Sequence, residues 1–204
     1  VHMARLNGQY LYENHDIKYL PNLHISLNKK REQSIQNKTV VYYHSKEKNA
    51  VKEAKTIERL LRKEKVKLIA DPELVMIKKT SQNYTRIHIV THKNDESIIF
   101  HGSIINMDDL CNFLPNNLNS AVFNICKGGK IVNQNKYSIM YKSIAHTLIL
   151  KNTACIITHT WDLGQEASNI FSNEFYKNTE NYSIPKELIN KKPSEYGGYM
   201  VWGL

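Results

Sequence analysis

The residues of this chain best suited to chemistry are a histidine and a cysteine that each close an apolar, β-type run. His92 ends the run "RIHIVTH", and Cys126 ends the run "SAVFNIC". A thiolate is an effective nucleophile toward a carbonyl carbon, and a nearby imidazole can activate the thiol and later protonate a leaving amine. The two residues therefore predict cysteine-dependent acyl transfer, provided that the fold brings the two strand ends together.

The turn that follows Cys126 favours exposure of the thiol. Gly128 and Gly129 free the backbone to turn beneath a substrate, and amide groups near Cys126 could then point at a developing oxyanion. Taken singly, each residue also has a simpler interpretation. A cysteine in an apolar run usually packs, as we expect for Cys111 and Cys155, and a histidine at a strand end is usually a surface or hydrogen-bonded residue. The coincidence of two strand ends is what favours a site.

The elements that must position these residues alternate between strands and helices. Two short strands, a break at Pro21 and a short helix are predicted first. The later strands are predicted at 38–45, 66–71, 86–92, 97–102, 120–126, 154–161 and 196–204, and the helices at 49–64, 73–80, 106–114, 138–150 and 165–178, with Asn49 and Asn106 as N-caps. This alternation predicts an α/β fold with a mainly parallel central sheet flanked by helices.

In such sheets, ligands and chemistry collect beyond the carboxyl ends of the strands. Three predicted strands carry reactive residues there: His92, Cys126, and His159 followed by Asp162. If the strands of His92 and Cys126 are parallel neighbours, both residues leave the sheet at one edge. The chain between them is long enough for a hairpin and a crossover helix that return to that edge.

Composition predicts one soluble domain over residues 1–204, with 41% hydrophobic residues and no run long enough to cross a membrane. The beginning of the chain lacks the zones of a signal peptide. The three cysteines are too scattered for a disulfide framework and form no CxxC pair, so we expect free thiols and a cytoplasmic location. No cluster of metal ligands stands out and a histidine–cysteine pair needs no cofactor, so we expect neither a metal site nor a cofactor.

The net charge of +9 permits binding to nucleic acid, and a basic nucleic-acid-binding protein is the second alternative function. The basic residues are scattered in short clusters, and no zinc-finger pattern, RNP-like aromatic motif or basic region with heptads accompanies them. A solvated basic surface is therefore the favoured interpretation. Direct contact with nucleic acid is not expected.

Six segments, taken in order, resemble the CHAT domain, a caspase- and separase-like cysteine peptidase domain that is often joined to tetratricopeptide repeats. The resemblance covers nearly the whole chain, and by comparison with the family we expect the usual portion before "LNGQYLY" to be missing. The similar segments are "GQYLYENHDIKYLPNLHISL", "AVKEAKTIERLL", "IHIVTHK", "AVFNICKGG", "TACIITHTWDLGQEASNIFSNEFY" and "YGGYMVWG". The resemblance implies a caspase-like three-layer sandwich and endopeptidase activity, often regulated by attached repeats or a partner complex.

Carried over by position, the resemblance makes His92 the base and Cys126 the nucleophile. The family's glycine after the histidine is Lys93 here, which keeps the oxyanion-binding amide but adds a side chain. His101, followed by a glycine, is the alternative base. Asp162 is a candidate for binding a basic substrate residue by charge pairing, or else the cap of the next helix. A protease-like fold that no longer cuts, and serves as a binding or scaffold module, is the first alternative function.

Overall fold

The computed structural model describes residues 5–6, 9–10, 37–94, 97–127, 144–159, 165–177, 188 and 199–203. Its strands are β1 (Arg5–Leu6), β2 (Gln9–Tyr10), β3 (Lys38–Tyr43), β4 (Lys65–Ala70), β5 (Arg86–Asn94), β6 (Ser97–Phe100), β7 (Ser103–Asn106), β8 (Ser120–Lys127), β9 (Cys155–His159) and β10 (Tyr199–Gly203). Its helices are α1 (Lys48–Leu60), α2 (Leu74–Ser81), α3 (Met107–Phe113), α4 (144–150) and α5 (Gln165–Lys177). The predicted break at Pro21 and the short helix after it lie outside the described residues.

The central sheet runs in the order β10-β9-β8-β5-β3-β4, and the strands from β9 to β4 are parallel. Strand β10 adds to one edge in the antiparallel direction, and the β6–β7 hairpin continues from the end of β5. The prediction of a mainly parallel central sheet is therefore confirmed.

Alternating side chains of each central strand feed two separate cores, one on each face of the sheet. On β5, Ile87 and Ile89 pack in the core that α2, α3 and α4 cover. Val90 packs in the core on the other face, which α1 and α5 cover. Because both faces of the sheet are covered by helices, the domain has the three layers of a caspase-like sandwich, as predicted.

The N-cap of helix α1 lies two residues earlier than predicted. Glu47 holds the N-cap position with extended backbone angles and makes no side-chain capping bond, so the prediction of Asn49 as N-cap is wrong. Asn49 instead lies in the first turn, where its carbonyl accepts a hydrogen bond from Asn169 of α5 at 2.9 Å. The other predicted cap is confirmed: the side chain of Asn106 accepts from the amides of Asp108 and Asp109 at the start of α3.

Two strands extend beyond the residues predicted to end them. Strand β5 continues through Asn94 because Lys93 and Asn94 pair with the first residues of β6. Strand β8 likewise continues to Lys127. The second strand of the following hairpin, β7, was not predicted. The β6–β7 turn contains Gly102 at φ +85°, a left-handed angle that glycine adopts without strain.

Within the described part of the chain, no helix is both long and apolar enough to cross a bilayer.

Candidate active site

Strands β5 and β8 are parallel neighbours, and their register pairs His92 directly with Cys126. The intervening chain forms the β6–β7 hairpin and then α3 before it returns as β8, as predicted. The backbone of the two residues is thus brought to adjacent positions near the carboxyl ends of both strands. The side chain of Cys126 lies outside the described part of the structure. The catalytic roles of both residues therefore stay predictions.

The imidazole of His92 contacts a carboxylate from the start of α1. Its Nε2 lies 3.1 Å from Oε1 of Glu47, and the two side chains are 19% and 34% exposed. Its Nδ1 is buried and has no hydrogen-bond partner among the described residues. One ring nitrogen of His92 is therefore held by an acid, while the other is left for a second group.

Glu47 was not found by sequence reasoning, and its position explains why its side chain can reach His92. It lies four residues beyond the end of β3, and its amide donates to the carbonyl of His44 in the tight turn between β3 and α1. A carboxylate at a helix N-terminus is favoured by the exposed amides there. Glu47 uses this position to bind His92 and makes no cap. Applying the strand-end rule to "VVYYHSKE" would have pointed to both His44 and Glu47.

His44 extends the polar edge beside His92. Their ring centroids are 5.5 Å apart in an edge-to-face arrangement, and the ring of His101 lies 6.3 Å from that of His44. Burial, and then the neighbouring His92, lower the pKa of His44 although the carboxylate of Asp71 opposes the shift. Nδ1 of His44 accepts from the amide of Lys46 at 3.2 Å. His44 is therefore suited to remain neutral beside His92.

The alternative base, His101, is held on the far side of His44. Its backbone amide donates to Oδ1 of Asp71 at 3.0 Å, and the amide of Ser45 donates to the same oxygen at 2.9 Å. Burial alone would raise the pKa of Asp71, but these hydrogen bonds lower it below its usual range. The side chain of His101 is exposed, and its residue pairs with no position on β8. The geometry brings His92, not His101, to the cysteine strand.

Of the other predicted site residues, Lys93, Gly128 and Asp162, the structure describes only Lys93. Lys93 lies inside β5, paired with Ile98 on one side and Lys127 on the other, and its side chain is buried. Its amide is therefore part of a strand and does not sit in an open turn. Gly128 and Asp162 lie outside the described residues. Cys111 and Cys155 are buried and form no disulfide among the described residues, which confirms their interpretation as packing residues. Burial raises the pKa of Cys111 to about 12.

A second acid–histidine pair lies deeper on the same face of the sheet. Nε2 of His88 is 2.8 Å from Oε1 of Glu53, and the two side chains are 0% and 1% exposed. Ser168 and Ser172 of α5 each donate to Glu53 at 2.6 Å, and Asn124 of β8 donates to it at 2.7 Å. Burial alone would raise the pKa of Glu53, but its hydrogen bonds, first among them that to His88, lower it. This network joins α1, β5, β8 and α5 beneath the candidate site.

A small cleft opens beside His92 between the start of α1, the end of β5 and α5. Its lining residues are Glu47, Asn49, Ala50, Glu53, Val90, Thr91, His92 and Ser168. No group of three or more potential metal-binding side chains occurs among the residues that the structure describes. The cleft therefore offers an oriented imidazole and carboxylates, the groups used in general acid–base chemistry.

The domain is thus a caspase-like α/β sandwich in which His92 and Cys126 are paired across neighbouring strands near the carboxyl edge of the sheet. The CHAT domain family matches residues 1–192 of the 204, and the chain belongs to that family. This membership makes it a member of a caspase-like cysteine peptidase family. No curated protein matches the chain significantly.

Proposed function

We propose that the chain is a cysteine endopeptidase in which Cys126 is the nucleophile and His92 the base. The observation that supports the proposal most strongly is the β5–β8 register, which places the two residues opposite each other on neighbouring strands. Two residues separated by a hairpin and a helix in the sequence have no structural need to be paired in this way. Family membership supports the same chemistry.

In the proposed reaction, Nδ1 of His92 takes the proton of the Cys126 thiol, and the thiolate attacks the scissile carbonyl. The tetrahedral intermediate collapses as the histidine gives its proton to the leaving amine, which leaves a thioester. Water, deprotonated by the same imidazole, then attacks the thioester, and cleavage releases the acid product and the thiol. No cofactor takes part in these steps.

Glu47 has the geometry to orient the base. The carboxylate, 3.1 Å from Nε2, accepts a hydrogen bond from the N–H at that position. This bond favours the neutral tautomer in which Nε2 carries the proton and Nδ1 is unprotonated. It also stabilises the imidazolium that forms when the thiol is deprotonated. We therefore assign Glu47 as a positioning residue of the proposed dyad.

The finer parts of the proposal concern the oxyanion, the substrate and the partner. The amides of Cys126 and Lys93 would hold the oxyanion, which requires the end of β5 to part locally from its ladder. Gly128 would let the chain turn beneath the substrate, and Asp162 would favour a basic residue before the scissile bond. A protein or peptide is the proposed substrate, a regulatory protein the proposed partner, and the cytoplasm the proposed location, where a thiol nucleophile stays reduced. Nucleic acid and membrane have no part in the proposal.

Labelling with an electrophilic peptide ketone, followed by peptide mapping, tests the proposal. We expect the wild type to be labelled at Cys126, and labelling to be lost in Cys126→Ala and strongly slowed in His92→Ala. The matched control is His146→Ala, because His146 is an exposed histidine on α4. Labelling that survives in His92→Ala but disappears in His101→Ala would assign the base to His101 and contradict the proposal.

A binding module without peptidase activity is the second candidate function. The observation that favours it is the position of Lys93 inside the β5 ladder, where the oxyanion-binding amide is not presented at a turn. Folded wild-type protein that shows no labelling with ketones bearing basic, acidic or apolar residues would support this candidate. Labelling at Cys126 would exclude it.

A further inference from the structure

A second polar pocket lies at the opposite edge of the sheet, where β3, β4 and β5 begin. It has a volume of about 600 Å³. Lys38, Lys65 and Thr85 line it from the strand starts, and Gln82 and Asn83 line it from the end of α2. His92 lies seven residues beyond Thr85 along β5, about 23 Å at the rise of a β-strand. The pocket is therefore separate from the candidate active site.

Three lysines enter this pocket from one face of two neighbouring strands. The register pairs Lys38 with Lys65 directly and Val40 with Lys67. Lys67 shares a face with Ile69, which packs in the core beneath α2. Like charges directly opposite each other on adjacent strands are destabilising. Their concentration in a concave site therefore calls for a counter-charge.

No described carboxylate supplies that counter-charge. None of the three lysine ammonium groups makes an ion pair within the described residues, and no acidic residue lines the pocket. The acidic residue next to Lys65 in the chain, Glu64, binds Arg86, with both of its oxygens within 3.1 Å. Arg86 lies on the same side of β5 as His88, the side covered by α1, so this ion pair faces away from the lysines.

The end of α2 does not need the lysines either. The carbonyls of Thr80 and Ser81 accept from the amides of Asn83 and Tyr84 at 3.2 and 3.0 Å. Lys78 and Lys79 already place positive charge in the last turn of the helix. The pocket lysines are thus not explained as partners of the helix terminus.

We propose that this pocket binds an oligophosphate, either free or as the phosphate chain of a nucleotide. Ammonium groups are strong donors to phosphate oxygens, and three of them match a chain that carries three or more negative charges. The volume falls in the range of small-molecule sites, roughly 300–1,000 Å³. A concave pocket of this size suits a compact anion better than an extended nucleic acid, which would follow a groove. The proposal does not depend on the proposed peptidase activity.

Isothermal titration of the whole chain with tripolyphosphate, ATP and adenosine tests the proposal. We expect tripolyphosphate and ATP to bind and adenosine not to bind. A higher affinity for ATP than for tripolyphosphate would identify a nucleotide as the source of the phosphates. Equal affinities would mean that the adenosine part adds nothing and that the pocket recognises the phosphate chain itself, as in a free oligophosphate. Each change among Lys38→Gln, Lys65→Gln and Lys67→Gln should weaken binding about tenfold, the usual loss for one charge-assisted hydrogen bond.

The matched control is Lys55→Gln, which removes the same charge from an exposed lysine on α1. It should leave binding unchanged. A thermal melt without ligand adds a second readout: Lys38→Gln should raise the Tm because it removes a like-charge pair, although it weakens binding. Absence of tripolyphosphate binding, or an equal loss of affinity in Lys55→Gln, would overturn the proposal. Stronger binding of a short RNA that is insensitive to the three pocket variants would also overturn it.

Discussion

Strand β5 supplies the histidines of two glutamate–histidine pairs that lie in different environments, with one glutamate from α1 and the other from the N-cap residue just before it. Glu53 and His88 are buried, 2.8 Å apart, and every atom of the pair that can bond is near a partner, including the Tyr176 hydroxyl 3.1 Å from Nδ1 of His88. His92 lies four residues beyond His88 on β5. Its Nε2 is 3.1 Å from the carboxylate of Glu47, and both side chains are partly exposed. Nδ1 of His92 has no partner among the described residues.

This difference separates a structural pair from one that can react. All hydrogen-bonding atoms of the buried pair already have partners, so none is available to a substrate. Proton transfer from the pair to a substrate would leave an unpaired charge in the core, which is costly. A partly exposed pair with one uncommitted nitrogen can take up a proton and release it. The side-chain chemistry of the two pairs is the same, so their surroundings determine their roles.

The largest expected effect is on catalysis and comes from the exposed pair. His92→Gln should lower the rate of peptide cleavage by a factor of about 10²–10⁴, the usual contribution of a general base. Its urea unfolding midpoint should stay close to that of the wild type, because His92 is partly exposed. Steady-state kinetics and urea titration measure the two quantities. A large loss of stability with an unchanged specific rate in the folded fraction would reverse the roles of the two pairs.

The next effect is on stability and comes from the buried pair. Glu53→Ala should lower the free energy of unfolding by about 3–5 kcal/mol, because it leaves Nε2 of His88 and the hydroxyl of Ser168 without the acceptor that they share. Urea unfolding followed by circular dichroism measures it. Glu58→Ala, at an exposed position of the same helix, is the control and should change the stability by less than about 0.5 kcal/mol. Equal losses in both variants would remove the special role of the network.

The stability that the buried pair contributes should decrease gradually as the pH is lowered, and this effect should be smaller than that of Glu53→Ala. The pKa of Glu53 is lower in the folded protein than in the unfolded chain, so the folded state holds its carboxylate ionised. That contribution to stability is present above the unfolded pKa, about 4.3, and is lost as the pH falls through the lower folded pKa. Urea midpoints of the wild type should therefore fall below about pH 4.3 more steeply than those of Glu53→Gln. Parallel curves for the two proteins would contradict this linkage.

The smallest effect is expected at Glu47. Glu47→Gln should lower kcat about tenfold with little change in KM, because it weakens the orientation of His92 but makes no proposed substrate contact. Stability should change by less than about 1 kcal/mol, as for other partly exposed ion pairs. Glu47→Asp should recover part of kcat if the carboxylate is what matters. A change confined to KM would assign Glu47 to substrate binding.

The fold class and the placement of the two candidate residues at strand ends could be predicted from the sequence because they depend on local pattern. Alternating strands and helices fix a mainly parallel sheet, and both His92 and Cys126 lie at the end of an apolar run. The continuation of β5 through Asn94 could not be predicted in this way. It depends on antiparallel pairing with β6, a contact between segments whose polar residues look like a turn.

Contacts between distant residues were the part that sequence could not supply. The bond between Glu47 and His92 joins residues 45 positions apart, and the Glu47 carboxylate makes this bond at the N-cap position without capping the helix. Asn49 has the better side chain for a cap, so propensity favoured the wrong residue. In the lysine pocket, Lys38 is likewise far along the chain from Lys65 and Lys67, and only the β3–β4 register brings it beside them.

The most direct test of the central claim is the pH dependence of Cys126 alkylation by iodoacetamide, followed by mass spectrometry in the wild type, His92→Gln and the control His146→Gln. An ordinary cysteine is half ionised at about pH 8.5. If His92 activates the thiol, the wild type and the control should react at Cys126 well below this pH. His92→Gln should react only as the pH approaches this value. Coincident profiles for all three proteins would contradict the account.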